Sequence, residues 1–304
     1  MLEKLAELLK LAPRQFWGLE QQIVLLREMF SSFSLKGFLA SILAIIELSG
    51  LVVFDLPITP RGEEVNLDGY TLVFEDNFDG SKLDTDIWEY RANGARRGGF
   101  NAPSQVEVRD GNLIITAEYL TDGTYGEGWY AGMIKLKEQY TKGYFEMRCI
   151  CNKGKGFWSA YWLQSSNSYT ASMSKGGVGG AEIDIFESAN NENSLVNDAV
   201  THAIHCAGVD GAQEGFQSMS LGAFYGNNIY EEYNTYSMEW NEDEYIFYIN
   251  GVETRRSSFG NGVSEVPEEV IVSLEIPTAE ELDELDKDTY VSEFIVDYVR
   301  IYQK

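Results

Sequence analysis

The chain has little cysteine, and this scarcity gives no support to a disulfide-stabilised fold. Its three cysteines are Cys149, Cys151 and Cys206. Cys149 and Cys151 lie two residues apart in a strand-like run, so their side chains point the same way and are poorly placed to bridge. No Cys-x-x-Cys pair and no cysteine–histidine cluster indicates zinc. The cysteine content therefore does not distinguish a cytosolic protein from an exported one.

Positive charge is also scarce. The chain carries 23 Lys and Arg against 48 Asp and Glu, a formal net charge of -25. Residues 1–66 hold six basic and eight acidic side chains, so about -23 of this charge belongs to residues 67–304. Such a surface repels phosphate backbones, which excludes nucleic acid as an expected partner and weakly disfavours a sulfated polysaccharide. The net charge does not exclude a local basic patch within a cleft. The candidate residues for such a patch are Arg91, Arg96, Arg97, Lys153 and Lys155.

Long helical periodicity is absent after about residue 67. Short alternating runs such as YTLVFED, NLIITAEY and FIVDYVRIY recur, separated by Gly, Asn and Asp. This texture predicts an all-β fold, a sandwich of two antiparallel sheets with about a dozen strands. The acidic stretch at 278–288 is expected to form one helical turn or a solvated loop. Aromatic residues make up 13% of the chain, which suits both a β-core and a sugar-binding cleft.

Residues 1–54 have a different pattern from the rest of the chain. Two stretches, 2–11 and 16–33, have amphipathic helical spacing, and 38–54 is nearly all apolar with Glu47 as its only charge. Seventeen residues is at the short limit for a membrane span, and no cleavage-site pattern of a signal peptide follows. Three interpretations are open: a membrane tether, helices packed on a partner or on the body of the protein, and an atypical export signal.

These patterns predict three parts. Residues 1–56 form a helical segment that associates with a membrane or partner. Residues 57–66, which contain Pro57 and Pro60, form a short stiff linker. Residues 67–304 form the β-domain.

The segment GGAEIDIFES at 179–188 is the strongest chemical signal. Side chains alternate along a strand, so Glu182 and Asp184 share one face while Ile183 and Ile185 share the other. Strict alternation would place Glu187 on the apolar face. A β-bulge around Ile185–Phe186 shifts the phase by one residue and returns Glu187 to the side of Asp184.

Three carboxylates on one face suit glycoside hydrolysis with retention. That reaction needs two carboxyl groups about 5–5.5 Å apart, one to attack the anomeric carbon and one to transfer the proton. Crowded acids push each other's pKa values apart, so one can stay protonated while its neighbour is ionised. An exposed acidic strand face and a divalent-cation site are alternatives that the three acids alone do not exclude.

The ordered motifs resemble glycoside hydrolase family 16. GKGFWSAYWL followed by AEIDIFE is similar to its signature, and LVFEDNFDGSKLDTDIW, VEVRDGNLIITA, GYFEMR and VDYVRIYQ agree in order. The resemblance covers roughly residues 68–304. It implies a β-jelly-roll with a substrate cleft on its concave face and an endo-acting, retaining hydrolase. The expected substrate is a β-1,3- or β-1,3/1,4-glucan, with a β-galactan as the alternative.

The resemblance also implies roles for the three acids. By motif position, Glu182 would be the nucleophile, Asp184 the assisting residue and Glu187 the acid/base. The ExDxxE spacing resembles the bulged, laminarinase-like branch of the family and differs from the unbulged ExDxE branch.

Four further residues are expected to contact substrate. Trp158 and Trp162 match two tryptophans of the family's G-x-W-P-A-x-W run, although Ser159 replaces its proline and two core tryptophans would give the same pattern. His205 matches a histidine near the acids, whereas His202, three residues earlier, is expected to be structural. Asn101 is a sugar-contact candidate in FNAPSQVEV, where the match to the family is loose and the substrate is correspondingly open.

No cofactor or catalytic metal is expected, and nothing in the sequence predicts a structural calcium ion, although the fold could accept one. The expected partner is a polysaccharide, with membrane association through residues 1–54 and an extracellular or bacterial cell-surface location. Two other interpretations of the β-domain compete with an enzyme. One is a carbohydrate-binding module without turnover, and the other is an adhesion module. Neither of these functions requires the three acids Glu182, Asp184 and Glu187.

Overall fold

A computed structural model describes residues 57–165, 176–188, 197–207 and 216–304. The chain divides into two units, Met1–Phe54 and Asp55–Lys304. The predicted helical segment 1–56, with its membrane or partner association, lies outside the described residues. Within the described ranges, no helix is long and apolar enough to cross a membrane.

The described part of the second unit contains eighteen strands, more than the dozen expected, because several are only three or four residues long. Eleven of the strands form the larger sheet: β1 (Thr71–Asp76), β3 (Gly94–Arg96), β4 (Gly99–Asn101), β5 (Val106–Arg109), β6 (Asn112–Leu120), β7 (Gly128–Ala131), β9 (Gly143–Ile150), β14 (Asn234–Trp240), β15 (Tyr245–Ile249), β16 (Val252–Ser257) and β18 (Val291–Gln303). Seven form the smaller sheet: β2 (Trp88–Tyr90), β8 (Met133–Tyr140), β10 (Trp158–Gln164), β11 (Glu182–Glu187), β12 (Ala199–Ala207), β13 (Phe216–Tyr225) and β17 (Glu268–Glu275).

The two sheets confirm the predicted β-sandwich. The smaller sheet has the order β13-β12-β11-β10-β17-β8-β2, and the larger runs β16-β15-β14-β9-β18-β6-β7-β4-β3, with β1 paired to β18 and β5 to β6. Pairing is antiparallel except between β4 and β7, which are parallel. Non-consecutive strands lie side by side in both sheets, so the strands that carry the acids are fixed by distant parts of the chain.

Turn chemistry sets the register of two hairpins. Asp110 and Gly111 join β5 to β6, and Asn250 and Gly251 join β15 to β16; all four have positive φ. Two consecutive positive-φ residues give the twist that a two-residue hairpin needs, and Asp-Gly and Asn-Gly tolerate it best. The acidic stretch forms a one-turn helix, α1 (Ala279–Leu282), closed by a capping box between Thr278 and Glu281.

The core lies between the two sheets. Alternate residues of β11 and β10 point into it, among them Ile183 and Tyr161, both fully buried. The opposite face of β10 carries Ala160 and Trp162, which pack with Ile271 in a separate small cluster. The smaller sheet therefore has one face in the core and one face lined by the carboxylates, as the strand pattern predicts.

Residues 57–66, expected as a linker, differ from that expectation because they lie against the sandwich. Ile58 packs against the main core and pairs with Phe224, and Glu64 pairs with Val252. The main-chain hydrogen bonds of this segment run to β13, to β16 and to the turn before β16: Ile58 N–Ala223 O, Tyr225 N–Ile58 O, Gly62 N–Glu253 O, Glu253 N–Glu63 O and Val65 N–Gly251 O. The β-domain thus begins before residue 67.

Two shortened chains test whether residues 57–66 stabilise the β-domain and whether residues 1–54 are needed for its folding. A chain that begins at Asp55 keeps these contacts and is expected to be soluble and to hold the full-length activity. A chain that begins at Leu67 loses five main-chain hydrogen bonds and the Ile58 contact, so its melting temperature should fall by about 5 °C or more. Circular dichroism melts measure this difference.

The tether interpretation is tested by sedimentation with phosphatidylcholine–phosphatidylglycerol liposomes. The full-length chain should pellet with the vesicles and the chain that begins at Asp55 should stay in the supernatant. If the chain that begins at Asp55 unfolds, residues 1–54 belong to the folded body and do not act as a tether.

Candidate active site

The predicted bulge is present in β11. Against β10, Tyr161 pairs with Phe186 and the next residue, Trp162, pairs with Asp184, so Ile185 has no partner on that strand. The register with β12 also shifts between Asp184 and Glu187. One extra residue therefore changes the phase of the strand between its second and third acids.

Both residues of the bulge point into the core. Ile185 and Phe186 are consecutive, yet both belong to the main core cluster, whereas a regular strand sends consecutive side chains to opposite faces. Phe186 stacks on Tyr236 of the opposite sheet with ring centroids 4.0 Å apart, and its ring meets Phe294 edge-on. Packing of two successive side chains on one face leaves Glu187 on the same face as Glu182 and Asp184.

The three carboxyl groups line one cavity of about 270 Å³ on the outer face of the smaller sheet. Arginines, a glutamine, a tryptophan and a fourth acid complete its walls. The lining residues are Arg91, Arg96, Arg97, Ala160, Trp162, Gln164, Glu182, Asp184, Glu187 and Glu275.

Glu187 is largely enclosed and bonded to Trp158. The indole Nε1 of Trp158 donates to Glu187 Oε1 at 2.8 Å. Burial raises the pKa of Glu187, an effect that the indole donor opposes and the nearby Glu275 carboxylate strengthens. The net direction is upward, toward a carboxyl that keeps its proton.

Asp184 and His205 form a pair beside it. His205 Nε2 lies 3.0 Å from Asp184 Oδ2, and its Nδ1 lies 2.7 Å from Ser218 Oγ. Burial raises the pKa of Asp184 to about 8 despite the imidazole. Burial acts to lower the pKa of His205, but the hydrogen bond to Asp184 and the surrounding carboxylates raise it overall. The pair therefore retains a proton to higher pH than a free aspartate or a free histidine side chain would.

Glu182 is held from the side by β10. Gln164 Nε2 donates to Glu182 Oε2, and Arg91 donates to the amide oxygen of the same glutamine. The Arg91 guanidinium also lies over the ring of Trp162, 4.9 Å from its centroid. A planar cation, an amide and a carboxylate thus form one chain of hydrogen bonds that fixes the direction of the Glu182 carboxylate.

Two arginines share one buried carboxylate on the other side of the cavity. Glu275 is 4% exposed, and its Oε2 lies 2.6 Å from Arg96 and 3.7 Å from Arg97. Its Oε1 has no hydrogen-bond partner within the described part of the chain. Arg97 also covers Trp158 at 4.6 Å from the ring centroid. Two guanidinium groups therefore face one carboxylate at this end of the cleft, and Arg97 is the more exposed of the two.

The predicted substrate contacts fall into two groups. Trp162 lines the cavity and donates to Ser273, and Trp158 and His205 each touch one of the acids. Asn101 is not among the lining residues. It is 1% exposed, and its amide atoms are unpaired among the residues that the structure describes. A sugar contact by Asn101 stays a prediction.

A divalent-cation site was the alternative interpretation of the acids, and the nearest candidate ligands for one are Glu182, Asp184 and His205. Their ligand atoms lie within 4.8 Å of one another. Gln164 bonds to Glu182, and Asp184 and Ser218 bond to His205, so these groups satisfy one another through hydrogen bonds.

The sequence analysis missed Gln164 and Glu275. Gln164 follows Trp158, Ala160 and Trp162 at strand spacing, so simple alternation would have placed it on the cleft face. Glu275 ends the apolar run VIVSLE, where a lone charge signals a buried partner. Arg91, Arg96 and Arg97, named as a basic patch, are brought into the cleft.

The family model for the β-porphyranase A–D domain of glycoside hydrolase family 16 matches residues 72–304. The chain belongs to glycoside hydrolase family 16. This family 16 chain is therefore a glycoside hydrolase, as its motifs predict, and the match extends over nearly the whole described β-domain.

Individual relatives are distant. The family 16 chain is 27% identical over 189 residues to the keratan-sulfate endo-1,4-beta-galactosidase of Sphingobacterium multivorum, covering 60% of this chain and 42% of the relative. It is 25% identical over 207 residues to glucan endo-1,3-beta-glucosidase A1 of Niallia circulans, covering 60% and 29%. The chain thus spans less than half the length of these relatives.

The fold is similar to that of a solved family 16 enzyme. The crystal structure of SCLam, a non-specific endo-beta-1,3(4)-glucanase, superposes with a TM-score of 0.64 at 23% identity. The superposition covers 82% of this chain and 97% of SCLam. This likeness confirms the jelly-roll sandwich.

The Asp184–His205 pair can be tested by titration. In an Asp184→Asn variant, the carboxyl that attracts the imidazole proton is gone while burial still disfavours the cation. The pKa of His205 should therefore fall by about one pH unit or more. NMR titration of the histidine Cε1 protons measures it, and the chain has only two histidines.

His202 is the internal control for this titration. Burial lowers the pKa of His202 to about 4, and the substitution should leave it in place. An unchanged pKa of His205 would show that Asp184 does not share its proton.

Proposed function

We propose that this chain hydrolyses a β-linked polysaccharide at internal bonds with retention of configuration. Glu182 acts as nucleophile, Glu187 as acid/base and Asp184 as the assisting residue. The observation that carries the proposal is the bulge at Ile185, which brings three carboxyl groups to one wall of one cavity.

The geometry suits a double displacement. In the first step the Glu182 carboxylate attacks the anomeric carbon, the glycosidic C–O bond breaks, and Glu187 gives its proton to the leaving oxygen. In the second step Glu187 takes a proton from water, the water oxygen attacks the same carbon, and the bond to Glu182 breaks. Two inversions leave the β configuration unchanged.

The environments of the two glutamates support this division of roles. A general acid must hold its proton near neutral pH, and burial raises the pKa of Glu187. A nucleophile needs a fixed, ionised oxygen, and Gln164 directs the carboxylate of Glu182. Asp184, with its pKa raised to about 8, is largely protonated near neutral pH and so adds little negative charge beside the Glu182 carboxylate.

Two substrate classes are candidates. A β-1,3- or β-1,3/1,4-glucan is supported by the name of the Niallia circulans relative and by the motif resemblance. A β-galactan that carries anionic groups is supported by the β-porphyranase family model and by the galactosidase relative. The two guanidinium groups that share Glu275 favour the second class, because the more exposed Arg97 can pair with an anionic group on the substrate.

A panel of polysaccharides separates these classes. Reducing ends are measured with laminarin, mixed-linkage β-glucan, porphyran, keratan sulfate and chemically desulfated keratan. If Arg97 binds an anionic group of the substrate, Arg97→Gln should lower kcat/KM on the sulfated galactan by about tenfold and leave kcat/KM on the desulfated one unchanged. Preference for laminarin with no effect of Arg97→Gln would reject the anionic galactan.

The catalytic assignment is tested with Glu182→Ala. Loss of the nucleophile removes the covalent step, so turnover should fall by at least ~10³-fold while the fold stays intact. Added azide should restore cleavage and give the α-glycosyl azide, whereas a Glu187→Ala variant should give the β-azide. Early products of the unmodified enzyme should be the β-anomer by ¹H NMR. More than a tenth of the turnover remaining in Glu182→Ala would rule out the assignment.

A further inference from the structure

The bulge leaves one backbone carbonyl in need of a partner inside the core. Ile185 is the extra residue of β11 and is fully buried. A residue outside the ladder cannot rely on a neighbouring strand for its hydrogen bonds, and a buried carbonyl without a partner destabilises the fold. What binds this carbonyl therefore stabilises the bulge.

The partner is His202. On β12, its neighbours Thr201 and Ala203 pair with Glu187 and Asp184, so His202 lies directly opposite the bulge. Its side chain is 0% exposed, and Nδ1 lies 2.5 Å from the Ile185 carbonyl oxygen. His202 therefore lies on the core side of β12, apart from the cleft that His205 contacts.

The contacts of His202 fix its tautomer. A carbonyl only accepts, so Nδ1 carries the proton. Nε2 lies 2.9 Å from the Thr254 hydroxyl oxygen, which also lies 3.0 Å from the Phe247 carbonyl oxygen. The rings of Phe224 and Phe247 enclose the imidazole, with centroids 5.2 and 4.9 Å away. Burial lowers the pKa of His202, in agreement with a neutral ring.

Two more bulges meet at this histidine. In β13, Leu221 is the extra residue opposite His202 and Ala203, and its carbonyl accepts from Arg255 Nε at 3.0 Å. In β16, Thr254 is the extra residue opposite Phe247 and Tyr248. Because β16 belongs to the larger sheet, the imidazole joins the bulge of the cleft strand to a bulge of the opposite sheet.

We propose that His202 is a positioning residue that holds the bulge at Ile185 and thereby keeps the Glu187 carboxyl in the cleft against Trp158. Without the donor at Nδ1, the Ile185 carbonyl loses its hydrogen bond, and β11 becomes more stable with regular pairing than with the bulge. A one-residue slip of the pairing turns Glu187 away from the cleft. The effect on catalysis rests on the proposed function of Glu187, whereas the effect on its position does not.

Two substitutions distinguish positioning from packing. His202→Phe keeps a ring between Phe224 and Phe247 but lacks the donor. His202→Asn packs less well but places an amide N–H where Nδ1 stood. A packing role predicts that the Phe variant is the better enzyme, and a positioning role predicts the reverse.

The first readout is the Trp158 indole N–H resonance, which reports the hydrogen bond to Glu187 and is assigned with Trp158→Phe. In His202→Phe it should move to its position in Glu187→Ala, and in His202→Asn it should stay near that of the unmodified protein. An unmoved resonance in His202→Phe overturns the proposal.

The second readout is kinetic. The substrates are the polysaccharide that the panel identifies and the 2,4-dinitrophenyl β-glycoside of its repeating disaccharide, whose leaving group needs no acid. In His202→Phe, kcat/KM should fall by roughly 10- to 100-fold on the polysaccharide and less than about threefold on the aryl glycoside. His202→Asn should lose less than about threefold on both. Lower polysaccharide activity in His202→Asn than in His202→Phe overturns the proposal.

The two proposals can fail separately. If the indole resonance moves in His202→Phe while polysaccharide activity holds, His202 positions Glu187 but Glu187 is not the acid. Should His202→Phe fail to fold, ¹⁵N spectra of the unmodified protein decide the question. At neutral pH, His202 must carry its proton on Nδ1, and a proton on Nε2 instead overturns the proposal.

Discussion

The site depends on one extra residue in one strand. A strand turns successive side chains to opposite faces, so ExDxxE cannot present its three acids together unless the phase changes between the second and the third. The bulge at Ile185 makes that change, and the apolar side chains of Ile185 and Phe186 hold it by entering the core together. The stacking of Phe186 on Tyr236 couples the arrangement of the acids to the packing of the two sheets.

The cleft differs in charge from the rest of a strongly acidic chain. Arg91, Arg96 and Arg97 gather around the carboxyl groups, and Glu275 lies buried between two of them. Partial enclosure strengthens these interactions relative to the exposed surface and keeps some carboxyl groups protonated. Net charge, which disfavours a sulfated substrate when averaged over the chain, therefore says little about this wall of the cleft.

Local pattern was enough to predict the alternating strands of the sandwich and the bulge, and it gave the helical turn as one of two alternatives for 278–288. Each of these depends on neighbouring residues or on the period of one strand. The link from Arg91 through Gln164 to Glu182 and the sharing of Glu275 depend on strands far apart in sequence, which alternation alone cannot join. The same limit made residues 57–66 resemble a linker, since their partners in β13 and β16 lie more than 150 residues away.

The bulge also limits how such a strand can arise. A substitution changes a side chain but not the number of residues between Asp184 and Glu187. The shorter ExDxE spacing and the spacing found here are therefore separated by the gain or loss of one codon. An intermediate with the extra codon but an apolar core unable to take two successive side chains would turn its last acid inward. In a lineage that passes between the two spacings, a core able to accept both Ile185 and Phe186 must accompany or precede the insertion.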